Sequence, residues 1–295
     1  MDDQKNLRAG FTLIKVLVVI GIIGVLIAIL VPSLSSARNQ SRSTLCQTNL
    51  RTLGQGWGMY SDENLDIMLP SRLPRHSAGG FANPANHYTV STGLKYRPRW
   101  PVLMQKYVGA PALLKPLTYR DRQNYDSPVY VCPSASDWTD ERNAAYGYNY
   151  QFLGNPRVAA DRLRQLAQRS RIRNTSKTVV IADSMGSAAA FPTRQRLPYS
   201  NAGREEHRRG NYGWLIDPPR LEAKSSRAGG PRSKRSAPDP RHRDRVNAVF
   251  ADDHAELLSL HDLGYGVQPD GLVVDSGREA NNRLFSGTGE DMSPP

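Results

Sequence analysis

The stretch GFTLIKVLVVIGIIGVLIAILVPSL, residues 10–34, decides how the chain is organised. Between residues 9 and 37 the only charge is Lys15. About 20 helical residues cross a hydrocarbon core of roughly 30 Å, so residues 11–30 are long enough to span a bilayer. A helix in a soluble core keeps a polar face, and this segment has none. It therefore predicts one transmembrane helix. A secretory signal places its small-residue cleavage site after a short apolar stretch, whereas Gly10 precedes this one. Lys5 and Arg8 in the polar leader, residues 1–10, predict an N-terminus in the cytoplasm and the remainder outside it.

The other residues are of a different kind. The chain has 295 residues, with Lys and Arg totalling 39 and Asp and Glu 27, a formal charge of +12. Mean hydropathy is −0.54, which excludes a polytopic membrane protein but not a single span. Two cysteines exclude a disulfide-dense mini-domain and an all-Cys zinc cluster. The 24 Gly and 21 Pro predict a turn-rich head.

After Pro32 the composition turns polar without a turn signal. Cys46, Leu50, Leu53, Trp57 and Tyr60 recur at spacings of four, three, four and three, one face of a helix. One helix is expected over residues 11–53, reaching 60 at most, with Gly54, Gly56 and Gly58 weakening its end. Residues 71–125 read as loop with a short helix at 102–107. Strands are expected at 129–132, 178–183, 246–251, 255–260 and 271–274, the third and fourth joined by a turn at Asp252-Asp253. Residues 222–240 (EAKSSRAGGPRSKRSAPDP) read as an exposed basic insertion. The fold expected is α+β: one long helix on an antiparallel sheet. The divisions are a leader (1–10), a membrane or assembly helix (11–34), its amphipathic continuation (35–60) and a head (61–295).

Gly10-Phe11-Thr12-Leu13-Ile14 and the helix after it resemble the N-terminus of type IV prepilins and type II secretion pseudopilins. The resemblance implies that a prepilin peptidase cuts after Gly10, that Phe11 becomes a methylated N-terminus, and that Pro32 kinks the helix. It also implies a single-pass protein of the cytoplasmic membrane with a periplasmic head, packing through its helix with other pilin or pseudopilin subunits and with lipid, in a type IV pilus-like filament or a type II secretion pseudopilus. Where that family places a glutamate fifth in the mature chain, this sequence has Lys15, a cation that repels a neighbouring terminal amine. Cys46-Gln47-Thr48-Asn49-Leu50-Arg51-Thr52-Leu53-Gly54 is similar to a prepilin-like family of planctomycete-type bacteria. So is His242, nine residues and then Asp252, where Asp253 replaces the family's glycine. Glycine there permits a positive φ, and aspartate is among its better substitutes.

Three chemistries compete at the candidate sites. Asp183, Asp252, Asp253 and His254 offer metal-ligating groups, and with His242 they could serve a hydrolase if three converged. The plainer reading is a hydrogen-bonded turn, with a structural calcium ion between the two. No cofactor is otherwise expected. Cys46 and Cys132, both outside the cytoplasm on this topology, are expected to form a disulfide; the alternative is two buried free thiols. The basic residues at 204–245 suit nucleic acid or another polyanion, but aromatic interleaving is sparse and a solvated loop is the simpler account. The sequence thus points to a structural subunit and not an enzyme. The alternative is a membrane-tethered binding module that never polymerises.

Overall fold

The computed structural model describes residues 13–74, 82–90, 93–109, 127–135, 145–154, 168–196, 213–220, 236–274 and 280–294. The chain divides into two units, residues 1–41 and 42–295.

Helix α1, Leu13–Glu63, continues through Pro32. That residue lacks the backbone donor for the Ala28 carbonyl, and beside it Ser33 Oγ donates to the Leu30 carbonyl at 2.8 Å. In the first unit every described residue of α1 is exposed, including all its aliphatic side chains. Among the described residues nothing covers them.

In the second unit α1 becomes one-sided. Cys46, Leu50, Leu53 and Trp57 are fully buried, as their spacing predicts. The helix also outruns the expected end. Gly54, Gly56 and Gly58 are buried within it, and two of them are notches. A Cβ on Gly54 would lie 2.8 Å from Val249 Cγ2, and one on Gly56 2.5 Å from Val108 Cγ1. Close packing offsets the poor helix propensity that alone would end the helix here. Left-handed Leu65 and Asp66 end it instead, with the Asp66 N–H donating to the Ser61 carbonyl.

The head follows as β1 (His87–Val90), β2 (Gly93–Tyr96), α2 (Trp100–Met104), β3 (Tyr146–Asn149), α3 (Tyr150–Leu153), β4 (Val179–Gly186), β5 (Leu215–Ile216), β6 (Ala237–Pro238), β7 (Val246–Phe250), β8 (Ala255–Leu258), β9 (Gly266–Val267) and β10 (Val273–Val274). The main sheet runs β5-β3-β4-β7-β8, with β6 pairing β4. Its pairs are antiparallel except β3 with β5, so the sheet is mixed and not purely antiparallel. The α+β, pilin-like arrangement is otherwise as expected: a long N-terminal helix packed on a sheet with long connections.

β7 alternates cleanly. Val249 faces the cluster that holds the helix stripe, while Val246, Ala248 and Phe250 face a second cluster with Leu263, Tyr265 and Phe285. A bulge between Val179 and Ile181 breaks the alternation of β4 and sends both Val180 and Ile181 to the helix side. From β3, Tyr148 accepts a hydrogen bond from Trp57 Nε1 at 3.2 Å.

Several expectations need correction. Residues 129–132 are not a strand: Pro128 opens a 3-10 turn, Pro128–Tyr130, with Val131 extended after it, because proline sets a turn φ. The β1–β2 hairpin lies where loop was expected. The helix expected at 102–107 is α2 followed by a turn. Residues 222–235 of the basic insertion lie outside the described residues, but Ser236 and Ala237 are buried. There the Ser236 N–H donates to Asp217 Oδ2 at 2.7 Å, so the end of that stretch is packed into the head and not exposed.

The glycines give a paired test. Gly56→Ala should lower stability by about 1–3 kcal/mol, as overpacking does, despite alanine's helix preference, and Val108→Ala in the same chain should recover most of the loss. At Gly58 a Cβ would meet only Arg169 at 3.5 Å, so Gly58→Ala should raise stability by up to about 1 kcal/mol. Denaturant unfolding of the three variants checks both signs.

Candidate functional site

The residues singled out in the sequence fall into two groups, and the division is not the one expected. His242 precedes β7 and Asp252 and Asp253 follow it, so the nine intervening residues are one strand with its approaches. The two ends of the motif are thereby held at opposite ends of β7.

At the far end is the β7–β8 hairpin. Asp253 has φ +69°, the left-handed conformation for which glycine would serve, and its N–H donates to the Phe250 carbonyl at 3.0 Å. Asp252 Oδ1 lies 2.5 Å from His254 Nδ1, and the His254 ring stacks on Phe250 at 4.3 Å. These groups are half-exposed and bond within the turn. Burial against α1 pushes the Asp253 carboxyl up, partly opposed by the charge of Arg169.

At the near end His242 turns inward and is buried. Its Nε2 lies 3.3 Å from Asp183 Oδ2 and 3.5 Å from Cys132 Sγ. Cys46 Sγ is 3.8 Å from Asp183 Oδ1. The structure joins Cys46 to Cys132 as a disulfide with Cα atoms 5.5 Å apart, inside the span such a bond bridges. One ligand atom from each of Cys46, Cys132, Asp183 and His242 lies within 4.8 Å of the other three, and all four residues are buried.

Each is placed by a different element. Cys46 lies on the buried stripe of α1, and Cys132 follows the 3-10 turn. Asp183 is on central strand β4, and His242 lies in the turn before β7. The surroundings orient them. The Asn247 N–H donates to Asp183 Oδ2 at 2.8 Å. Tyr146 Oη is 3.2 Å from Cys46 Sγ and accepts from Asn49 Nδ2 at 3.4 Å, leaving its hydrogen for the sulfur. Burial, and then the charge of Asp183, hold the Tyr146 hydroxyl well above its usual value, so it stays protonated.

Asp183 therefore does not join Asp252, Asp253 and His254 in a metal or catalytic set. Among the described residues the metal-ligating groups that converge are Cys46, Cys132, Asp183 and His242. The grouping of His242 with Cys132 and Cys46 is missed in the sequence, where it is set beside Asp183, Asp252, Asp253 and His254 instead. Gly10 and Phe11 lie outside the described residues. Lys15 is on the exposed first turns of α1. Of the basic residues at 204–245, Arg220 pairs with Asp291 at 2.8 Å and Arg241 with Asp239 at 2.9 Å. Those two cations are committed within the head, while Arg243 and Arg245 are exposed.

Part of this chain is similar to a protein of a type II secretion system. Type II secretion system core protein G of Pseudomonas aeruginosa is 33% identical over 61 residues, which are 21% of this chain and 43% of that protein. The similarity thus spans less than half of that relative's length. No family model and no solved structure matches the chain.

The hairpin supplies a pH test. A carboxyl whose folded value is raised contributes stability below its unfolded value and loses it as pH rises through the folded one. Asp253→Asn should therefore change little at about pH 3.5 and stabilise the head at about pH 7. Asp253→Gly should add about 1 kcal/mol at the lower pH by relieving the left-handed residue, and at the higher pH should add to this the gain seen in Asp253→Asn. Urea unfolding at the two pH values reads both effects.

Proposed function

We propose that this chain is a pilin-like structural subunit of the pseudopilin kind, acting through its N-terminal helix rather than by turnover. The observation that carries the reading is α1 itself. From Leu13 to Leu34 it carries apolar side chains on every side, all of them exposed, and is long and apolar enough to cross a membrane. The same helix, from Arg42 onward, is one-sided and packs on the head. An unpartnered apolar helix of this kind needs lipid or neighbouring helices around it. The partial similarity to a type II secretion core protein supports the choice of the second.

On this reading a prepilin peptidase cleaves after Gly10, the head lies outside the cytoplasmic membrane, and helices from successive subunits bury one another's apolar surface as they leave the bilayer. Lys15 sits where the resemblance implies a glutamate. Its long side chain can reach the cytoplasmic interface, so insertion is retained. Its charge opposes pairing with a neighbouring terminal amine, which suits a minor or initiating subunit better than a shaft subunit.

The test is intact mass and N-terminal sequencing of protein purified from its native membrane. A chain beginning at Phe11 is expected, and the added mass of one methyl group would show that Lys15 permits methylation. A chain still beginning at Met1 would replace this reading with that of a tethered, non-polymerising module. Lys15→Glu should preserve or raise incorporation into filaments, whereas a pure tether would be indifferent to it.

A further inference from the structure

We propose that Cys46, Cys132, His242 and Asp183 form a tetrahedral zinc site in the dithiol state of the head. Tetrahedral zinc binds sulfur at about 2.3 Å and nitrogen or oxygen at about 2.0–2.2 Å, which places neighbouring ligand atoms about 3.4–3.8 Å apart. Cys132 Sγ lies 3.5 Å from His242 Nε2, that nitrogen 3.3 Å from Asp183 Oδ2 and Cys46 Sγ 3.8 Å from Asp183 Oδ1, with one ligand atom of each residue within 4.8 Å of the others, so a small rotation of the carboxylate completes the set. Two thiolates, an imidazole and a carboxylate are also the donors that zinc prefers to calcium or magnesium.

The disulfide alone does not account for this arrangement. A bonded sulfur has no proton to donate, so Asp183 Oδ1 then faces only Cys46 Sγ among the described residues. The residue is completely buried, and a buried carboxylate oxygen without a donor is costly. A divalent cation in the centre removes that cost. It also gives the inward-turned His242 a task a disulfide does not require. The outer contacts are those of a metal centre: the Asn247 N–H fixes the carboxylate, and the Tyr146 hydroxyl is placed to donate to a Cys46 thiolate.

The chemistry balances simply. A two-electron dithiol reductant cleaves the Cys46–Cys132 bond and leaves as its own disulfide. Both cysteines gain a proton, and as the metal binds both protons pass to solvent. The bound ion would tie α1, the segment after the 3-10 turn, β4 and the approach to β7 at one point.

The experiment uses the full chain in detergent, reduced with a dithiol, desalted without oxygen and titrated with Co²⁺ in place of zinc. One equivalent should bind with the intense visible absorption and sulfur-to-metal charge transfer of a tetrahedral thiolate site, and zinc should displace it. His242→Ala and Asp183→Asn should each weaken binding more than tenfold, and Tyr146→Phe about tenfold. The oxidised chain should bind none. A reduced wild-type chain that shows only the weak absorption of octahedral cobalt, or none, overturns the proposal whether or not the variants fold. So does unchanged affinity in folded His242→Ala and Cys132→Ser.

Discussion

Burial of one stripe of α1 against β3, β4 and β7 is the contact on which the head depends. Leu50, Leu53 and Trp57 are completely shielded, and complete burial of a large apolar side chain contributes roughly 1.5–3 kcal/mol. The stripe is pinned at both ends by polar contacts, Cys46 to Tyr146 and Asp183 near its start and Trp57 to Tyr148 farther along. Between them Gly54 lets the helix approach Val249 and Asp253 directly. The helix thus touches both sides of the β7–β8 hairpin turn, at the strand and at the residue with positive φ.

This docking explains why the His242-to-Asp252 spacing reaches beyond one hairpin. β7 sits between the buried cluster at His242 and the turn at Asp253, so its length sets the distance between two places that both meet α1. A residue gained or lost there would reverse the faces of Val249 and Ala248 and move His242 away from Asp183. The spacing is therefore a matter of register, and of its two ends only the histidine joins the buried cluster.

The features legible in the sequence were those with local signals. The apolar run, the four-three stripe, the β7–β8 hairpin and most of β4 each declare themselves within a few residues. The glycine-rich end of α1 was misread because propensity favours a stop there, and only the opposing Val249 and Val108 make the small residues an advantage. β3 was not recognised as a strand because Tyr146, Tyr148 and Asn149 are buried by polar partners as much as apolar ones. β6 is two residues, one of them proline, and exists only as a partner for β4. The four-residue cluster was the least legible feature. Cys46 and Cys132 are 86 residues apart, Cys132 and His242 110, and Cys46 and Asp183 137, so no short spacing marks them.

The two halves of α1 place opposite demands on one element. The outer half needs a single buried face and obtains it from the head, with the Cys46 sulfur fixing rotation about the helix axis. The inner half has no preferred face within the chain, so any orientation must come from surroundings that a bilayer or other helices supply. A covalent or metal-centred tie at Cys46, the fifth residue of the second unit, fixes the outer half at the very start of its buried stripe.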